Sequence, residues 1–209
     1  MGNISRFDLR NLLIQAGLRH FVETGTYEGD GVAFASQHSF EKIFSVEIFD
    51  EMATAAAQRF AHDSRVSILN TTSAAGLEKI LPELTGNTLF WLDAHFPMAD
   101  AGLKGYEDEK DPDINIPLLK ELELIAGRRS QYRDVIIMDD LRLFEDVPPG
   151  EPVVGVNEHW ASIGQPHVTK EKLVHFNLAD ELERLFPNHP QSRLWIDAGF
   201  LIIEPPVPS

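Results

Sequence analysis

The chain has 209 residues, 43% of them hydrophobic and 24% charged, and these values predict a folded globular protein with a sizeable core. Its formal net charge of −15 argues against a general attraction to nucleic acid or to an anionic membrane surface. The sequence contains no cysteine, which excludes disulfides, thiolate metal sites and a cysteine nucleophile.

Helix-like and strand-like segments alternate along the first half of the chain. Apolar residues recur at helical spacing in some segments, and short apolar runs bounded by glycine or polar residues form the others. Helices are expected at about residues 5–17, 31–37, 50–61 and 74–84, and strands at 20–25, 42–49, 66–70 and 88–93. This order predicts a parallel sheet with helices on both faces.

The second half of the chain is interrupted by two polar stretches rich in glycine and proline, near residues 96–115 and 143–166, which we interpret as irregular, lid-like insertions. Around them we expect a helix at 116–129, a strand at 134–140, a helix at 169–186 and a closing antiparallel hairpin around Asp197. The whole chain, 1–209, is thus predicted to form one α/β domain. Its sheet would be Rossmann-like and doubly wound, with seven strands that are mostly parallel apart from the C-terminal hairpin.

Acidic residues, glycine and histidine occur together where the predicted strands end. In open parallel sheets, ligands bind outside the carboxyl ends of the strands, so this shared position predicts a functional site at that edge. The residues concerned are Glu23, Gly25, Glu47, Asp93, His95, Asp139 and Asp140.

The turn after the first strand, ETGTYEGDG (residues 23–31), carries three glycines that let the backbone approach a ligand closely. An ordinary tight turn is the alternative. Glu47 follows this turn at about the twenty-residue distance at which nucleotide-binding sheets place an acid for ribose hydroxyls, although a solvated strand end also explains it. Ser73 would lie where the loop after the third strand passes an adenine, or it would cap the next helix.

Three aspartates, Asp93, Asp139 and Asp140, are expected to converge from adjacent strand ends. Three ionised carboxylates repel one another unless a cation or protons relieve the repulsion. Oxygen ligands of this kind suit Mg²⁺, with Mn²⁺ or Ca²⁺ as alternatives. The other interpretation is that one or two of them cap helices or face water.

Taken in this order, the motifs resemble those of the class I S-adenosylmethionine-dependent methyltransferases, and among them the Mg²⁺-dependent catechol and macrolide-sugar O-methyltransferases. VETGTYEG resembles the family's glycine motif, SVEIF its ribose-binding strand end and ILNTTSA its adenine-side loop, while WLDAH and IMDD resemble its metal-binding strand ends. The resemblance implies a cofactor site built from Glu23, Gly25, Thr26, Tyr27, Gly29, Glu47, Ser73 and Asp93. It also implies that Asp93, Asp139 and Asp140 bind Mg²⁺.

The catalytic group differs from that of the catechol enzymes, which carry a lysine shortly after the first metal aspartate. Here Lys104 lies farther along a longer loop, and His95 is the nearer candidate general base, so His95 and Asp93 are the predicted catalytic residues. A histidine after this strand is similar to the arrangement in the sugar-modifying branch. His95 is equally well interpreted as a structural histidine packed beside Phe96. The acceptor-binding loops match no pattern, so the resemblance does not identify the acceptor.

We therefore expect a metal-dependent O-methyltransferase that acts on a small hydroxylated acceptor. A metal-independent methyltransferase and a catalytically silent protein that binds the cofactor are the alternatives; the glycine spacing and the closing hairpin disfavour an NAD-dependent oxidoreductase. No apolar run approaches the roughly 20 residues of a membrane-spanning helix, and the first residues lack a signal-peptide core, so we expect a cytoplasmic protein with no nucleic-acid or membrane partner. Either the amino-terminal helix or the acidic loop would be the interface of a homodimer, or both segments are simply surface.

Overall fold

The computed structural model describes residues 3–96, 105 and 108–206. Within them, seven strands form one sheet in the order β3-β2-β1-β4-β5-β7-β6. The strands are β1 (His20–Thr24), β2 (Lys42–Glu47), β3 (Val66–Asn70), β4 (Thr88–Leu92), β5 (Val135–Met138), β6 (Gln191–Leu194) and β7 (Phe200–Ile203). Neighbours among β1 to β5 are parallel, whereas β7 runs antiparallel to both β5 and β6. The predicted Rossmann-like sheet and its closing hairpin are confirmed.

Helices cover both faces of the sheet, as predicted. They are α1 (Leu9–Ala16), α2 (Asp30–Ser36), α3 (Asp50–Arg59), α4 (Ser73–Ile80), α5 (Pro112–Asn115), α6 (Leu118–Arg129), α7 (Val156–Ser162), α8 (Lys170–Leu173) and α9 (Leu178–Leu185). Buried residues of α4, α6 and α9 pack on one face, and buried residues of α1 and α2 pack on the other.

The two central strands show why both faces are covered. All five residues of β1 and of β4 are buried. Because side chains alternate across a strand, Phe21 and Val22 belong to the cores on opposite faces, as do Leu89 and Phe90. A strand that is buried on both faces needs a nearly continuous apolar sequence, which is what β4 has.

Two predicted helices differ from the structure. The expected helix over 5–17 is a 3₁₀ turn followed by α1, because Asp8 accepts a hydrogen bond from the Asn11 N–H and starts the helix there. Gly17, at φ 61°, ends α1 as predicted. The expected helix over 169–186 is wrong as a single element: it is divided into α8 and α9, since the Asn177 side chain caps a new helix start.

The two predicted insertions also contain regular structure. Residues 143–166 include α7, so the prediction of an entirely irregular stretch is wrong there. The insertion near 96–115 ends in α5, while residues 97–104 and 106–107, which include Lys104, lie outside the described residues.

Arg129, at the end of α6, is buried at the edge of the sheet opposite the strand carboxyl ends and is hydrogen-bonded there. Its guanidinium donates hydrogen bonds to both Asp134 carboxylate oxygens and to the carbonyls of Leu84 and Gly86, and it stacks 3.7 Å from the Tyr132 ring centroid. These bonds join α6 to the segments that precede β4 and β5. In the part of the chain that the structure covers, no helix combines the length and apolarity needed to cross a membrane.

Candidate functional site

A cleft opens at the carboxyl ends of β1, β2 and β4. The strand order reverses between β1 and β4, and this is where ligands bind in doubly wound sheets. The space bordered by the cleft residues is about 840 Å³, including its open mouth. The lining includes Gly25, Tyr27, Glu47, Met52, Thr72, Ser73, Asp93, His95, Phe96 and Ile114.

The turn after β1 brings its backbone against the end of β4. Gly25 has φ 84°, and a Cβ atom at this position would lie 2.6 Å from the Asp93 carbonyl oxygen. Only glycine fits both the left-handed backbone and this close approach. The Gly25 N–H donates to the Val46 carbonyl, so the turn is also fixed to β2. Glycine is thus required at position 25 because the turn packs against the end of β4, whether or not a ligand is bound.

Glu47 is held rigidly at the end of β2. Its Oε2 accepts a hydrogen bond from the Tyr27 N–H and its Oε1 accepts one from the Phe49 N–H, each at 2.8 Å. The residue is 8% exposed and lines the cleft. Because each carboxylate oxygen can accept more than one hydrogen bond, the group retains acceptor capacity for a ligand in the cleft.

Three of the predicted cofactor residues, Glu23, Thr26 and Gly29, lie behind the cleft wall. Glu23 Oε2 accepts a hydrogen bond from Ser45 Oγ at 2.6 Å, and Ser45 Oγ is also 2.6 Å from Thr26 Oγ1. A Cβ atom on Gly31 would lie 1.8 Å from Glu23 Oε1, so the start of α2 rests on this carboxyl group. Burial raises the pKa of Glu23 to about 8. In this structure the three residues support the turn rather than face the cleft.

Asp93, His95 and Asp140 meet at the ends of β4 and β5. His95 Nε2 is 2.8 Å from Asp140 Oδ2, and His95 Nδ1 is 3.8 Å from Asp93 Oδ1. Each of the three residues offers one potential ligand atom, and these atoms lie within 4.8 Å of one another. Asp139 differs, because its Oδ1 accepts a hydrogen bond from the Asp140 N–H at 2.7 Å. The group that the structure brings together is therefore two aspartates and a histidine, and the metal-binding role expected of Asp139 stays a prediction.

The surroundings of the two grouped carboxylates shift their pKa values in opposite directions. Burial, reinforced by the charge of Asp139, raises the pKa of Asp93 well above its ordinary value, and His95 opposes this only in part. Burial also acts to raise the pKa of Asp140, but the charge and hydrogen bond of His95 outweigh it and hold that pKa below its ordinary value. Arg142 Nε, 3.4 Å from Asp140 Oδ1, acts in the same direction. Asp140 is thus the carboxylate that stays ionised most readily.

His95 is both packed and paired. Its ring stands edge-on to Phe96 at 5.3 Å between centroids, and Phe96 in turn contacts Trp160 at 5.9 Å. Phe96 belongs to a separate apolar group above the sheet edge, which we call the cap cluster: Phe96, Ile116, Leu143, Val156, Trp160, Val168 and Leu173. The two interpretations of His95 are therefore compatible, since the packing orients the ring that faces the carboxylates.

The start of α4 corrects one sequence interpretation. The residue that caps this helix is Thr72, whose side chain accepts a hydrogen bond from the Ala75 N–H, so the capping interpretation of Ser73 is wrong. Ser73 is the first residue of the helix, is buried and lines the cleft. This position leaves the expected role beside an adenine open to Ser73.

Sequence reasoning missed Glu121, on the sheet-facing side of α6. It is 1% exposed and lies in the buried stripe formed by Leu118, Leu122 and Ile125. Burial raises the pKa of Glu121 to about 7, and the hydroxyl groups of Ser73 and Thr24 oppose the rise although neither meets hydrogen-bond geometry with it. An acidic residue at helical spacing within an apolar stripe is the signal that the sequence offered.

No protein-family model and no curated protein matches the sequence. Among solved structures, the chain is similar to the S-adenosylhomocysteine-bound methyltransferase PaMTH1 of Podospora anserina, with 16% identity, a TM-score of 0.56, and 93% of this chain and 75% of that one covered. It is also similar to an O-methyltransferase of Bacillus cereus in complex with S-adenosylhomocysteine, with 15% identity, a TM-score of 0.55, and 98% of this chain and 82% of that one covered. A SAM-dependent methyltransferase of Aquifex aeolicus is similar as well, with 14% identity, a TM-score of 0.50, and 97% of this chain and 93% of that one covered. At these identities the likeness shows the fold: a seven-stranded sheet of the kind that these methyltransferases have.

Proposed function

We propose that the protein is an S-adenosylmethionine-dependent methyltransferase that methylates an oxygen of a small hydroxylated acceptor. The observation that carries the proposal is Glu47, a carboxylate fixed by two backbone N–H groups in a cleft that extends to Asp93 and His95. A cleft lined only by neutral groups would bind many ligands. The Glu47 carboxylate, held in one orientation, instead favours a ligand with two adjacent hydroxyl groups. The solved structures with this fold named above include two that contain S-adenosylhomocysteine.

The cofactor would lie along the carboxyl ends of β2, β1 and β4. Glu47 would accept hydrogen bonds from the ribose hydroxyls, and Ser73 would lie on the adenine side. Gly25 lines the cleft, so the turn after β1 would contact the methionine portion through its backbone. This orientation directs the sulfonium methyl group towards the group formed by Asp93, His95 and Asp140.

In the proposed reaction, His95 is the general base. The Nε2–Asp140 hydrogen bond fixes the ring, and the ionised Asp140 stabilises the imidazolium that forms. His95 Nδ1 takes the proton of the acceptor hydroxyl as the oxygen attacks the methyl carbon in line. When bound, S-adenosylmethionine would supply the methyl group: its carbon–sulfur bond would break as the carbon–oxygen bond forms, and the electron pair would stay on sulfur to give neutral S-adenosylhomocysteine.

A divalent cation fits the same group. The Asp93 and Asp140 carboxylates would hold Mg²⁺ or Mn²⁺, with Asp139 adjacent, and the ion would lower the pKa of a bound acceptor hydroxyl. Without a cation, the 2.8 Å contact between His95 and Asp140 already forms an oriented base, and this favours a metal-independent form of the reaction as the second candidate. Activity measured with EDTA and after readdition of Mg²⁺ or Mn²⁺ separates the two.

The cofactor is tested by calorimetric titration with S-adenosylhomocysteine and, in parallel, with NAD⁺. Saturable binding of S-adenosylhomocysteine at micromolar affinity supports the proposal, whereas binding of NAD⁺ alone contradicts it. Transfer of the labelled methyl group from S-adenosylmethionine to a panel of catechols and sugars tests the reaction. Tight cofactor binding with no transfer to any hydroxylated compound would indicate a protein that only binds the cofactor.

A further inference from the structure

A second cavity opens beyond β5, in the segment that carries α7 and the start of α8. The space bordered by its walls is about 780 Å³, including its open mouth. Seven of its twelve lining residues have charged or amide side chains, and none of the twelve is aromatic. Among the described residues, none lines both this cavity and the cleft. The cavity is thus a separate, polar space.

Asp140 lies between the cleft and this cavity. Its Oδ2 is 2.8 Å from His95 Nε2, and its Oδ1 is 3.4 Å from Arg142 Nε. His95 lines the cleft, whereas Arg142 lines the cavity. A molecule in the cavity that contacts Arg142 is therefore separated from Asp140 by the width of one guanidinium group. The second cavity lies directly beside the group that contains the general base.

The guanidinium of Arg142 has donors that the protein does not use. Its Nη1 donates to the Val154 carbonyl at 3.4 Å, but its Nε is buried and has no hydrogen-bond partner among the described residues. The contact between Nε and Asp140 is a charge contact without hydrogen-bond geometry. Because a guanidinium offers several N–H donors and buried polar groups are nearly always paired, a ligand with acceptor oxygens would complete this site.

The charges on the cavity wall disfavour an anionic ligand. Arg142 is already balanced by Asp140. Lys170 is paired with Asp146. Glu158 is an exposed acid on the same wall, and no cation pairs with it in the part of the chain that the structure covers. A carboxylate or phosphate in the cavity would therefore meet an uncompensated negative charge.

The lining also disfavours an aromatic ligand. Ligand sites for flat apolar rings are lined mainly by apolar and aromatic side chains, whereas this cavity has a polar majority. A hydroxyl group both donates and accepts hydrogen bonds. A compound with several hydroxyl groups can therefore accept from Arg142 and donate to Glu158 at the same time.

We propose that this cavity binds the part of the acceptor that is not methylated, and that Arg142 donates hydrogen bonds to its oxygen atoms. The acceptor is then a non-aromatic compound with several hydroxyl groups and no anionic group. Binding in the cavity would leave one of its hydroxyl groups on the Asp140 side of the guanidinium, towards His95. The description of this ligand as the acceptor rests on the proposed function, whereas its binding in the cavity does not.

The first test is an NMR titration of the unmodified protein with matched probes. Methyl α-D-glucopyranoside carries hydroxyl groups alone, its C6-carboxylate analogue adds a negative charge to the same ring, and catechol is aromatic. The glucoside should cause saturable shifts in the amide signals of Gly155 and Asn157 and in the Nε–H signal of Arg142. The carboxylate analogue should bind at least about tenfold more weakly, and catechol should not shift these signals. No saturable shift with the glucoside, or a preference for either other probe, overturns the proposal.

The second test replaces Arg142. Arg142→Met should weaken glucoside binding at least about tenfold, the effect of losing one hydrogen bond to a charged group. Arg142→Lys, which keeps the charge but not the planar fork, should have an intermediate affinity. Arg184→Met is the matched control, because Arg184 is exposed and pairs with Glu123 away from the cavity, and it should bind the glucoside as the parent does. Parental affinity in a folded Arg142→Met protein overturns the role of Arg142.

If Arg142→Met does not fold, Arg142→Lys and Glu158→Ala decide the question. Glu158 is exposed, so its replacement should leave the fold intact, and it should weaken glucoside binding while reducing the discrimination against the carboxylate analogue. An unchanged affinity in both variants overturns the proposal.

Calorimetric titration with S-adenosylhomocysteine separates this proposal from the proposed function. Arg142→Met should bind S-adenosylhomocysteine as the parent does, because Arg142 is outside the cleft lining. Equal losses of glucoside and S-adenosylhomocysteine binding would instead show that Arg142 supports the fold. If the unmodified protein does not bind S-adenosylhomocysteine, the proposed function fails, and the NMR titrations still decide whether the cavity binds a polyhydroxy compound.

Discussion

Replacing Glu47 with glutamine perturbs the cofactor site with little change in shape. The amide oxygen can still accept the N–H of Phe49 or Tyr27, but the amide nitrogen cannot accept the other, so one of two 2.8 Å bonds is lost. The charge that would receive the ribose hydroxyls is lost as well. The substitution therefore tests whether this carboxylate binds the cofactor or only ties the turn to β2.

The expected magnitude follows from the number of bonds. A hydrogen bond to a charged group contributes about 1.5–3 kcal/mol, and each 1.4 kcal/mol is a factor of ten in affinity. Loss of one such bond to the ribose predicts about a tenfold to hundredfold weaker binding of S-adenosylhomocysteine. Glu47→Ala, which also removes both backbone contacts, should weaken binding at least as much and lower the melting temperature.

Titration calorimetry with S-adenosylhomocysteine measures the affinity, and thermal unfolding without ligand reports on the fold. Glu51→Gln is the matched control, because Glu51 is an exposed acid in the first turn of α3, outside the cleft lining. An affinity of Glu47→Gln equal to that of the parent, with an unchanged melting temperature, would refute the assignment of Glu47 to the cofactor.

Four further outcomes are expected. His95→Gln should lower kcat at least about a hundredfold and remove the acidic limb of the pH–rate profile, with S-adenosylhomocysteine affinity unchanged in calorimetry. Asp140→Asn should weaken Mn²⁺ binding in the same instrument but not cofactor binding; equal losses would assign Asp140 to the cofactor pocket. Gly31→Ala should lower the melting temperature because its Cβ would lie 1.8 Å from Glu23 Oε1, whereas Gly127→Ala, with nothing within 4 Å, should raise it slightly. Because the pKa of Glu23 is raised from 4.5 to about 8, the folded protein holds a proton that the unfolded chain releases, so stability falls as pH rises through that interval. Urea unfolding between pH about 5 and about 9 should show a smaller fall for Glu23→Gln.

The sheet and the edge that carries the site were predictable because strand periodicity and strand ends are local features. The apolar run of β4 indicated a strand buried on both faces, and the acids that follow it indicated the functional edge. Which acids meet was not predictable. Asp139 and Asp140 are adjacent in sequence, but the left-handed backbone of Asp140, at φ 51°, accompanies contact of its carboxylate with His95 and Arg142.

Other differences between the predicted and observed helices depend on which residue caps a helix, and the spacing of apolar residues does not determine this. Thr72 and Ser73 are both good helix caps, and the structure uses the first, which leaves the second in the cleft. Asn177 interrupts a segment whose apolar spacing is otherwise helical. Glu121 lies at helical spacing within the apolar stripe of α6, but acids are common on helices, and only its burial sets it apart from the other acids of that helix.

The buried guanidinium of Arg129 anchors α6 at the edge of the sheet away from the cleft, so the residues at the two edges can be substituted independently. Its bonds satisfy carbonyls and a carboxylate at the edge away from the cleft. Substitutions that are more than about 10 Å apart and share no partner usually add in their effects. A directed-evolution library confined to the cleft and the cap cluster would therefore retain the anchoring of α6, so new acceptor preferences could be selected on a scaffold whose stabilising contacts are left intact.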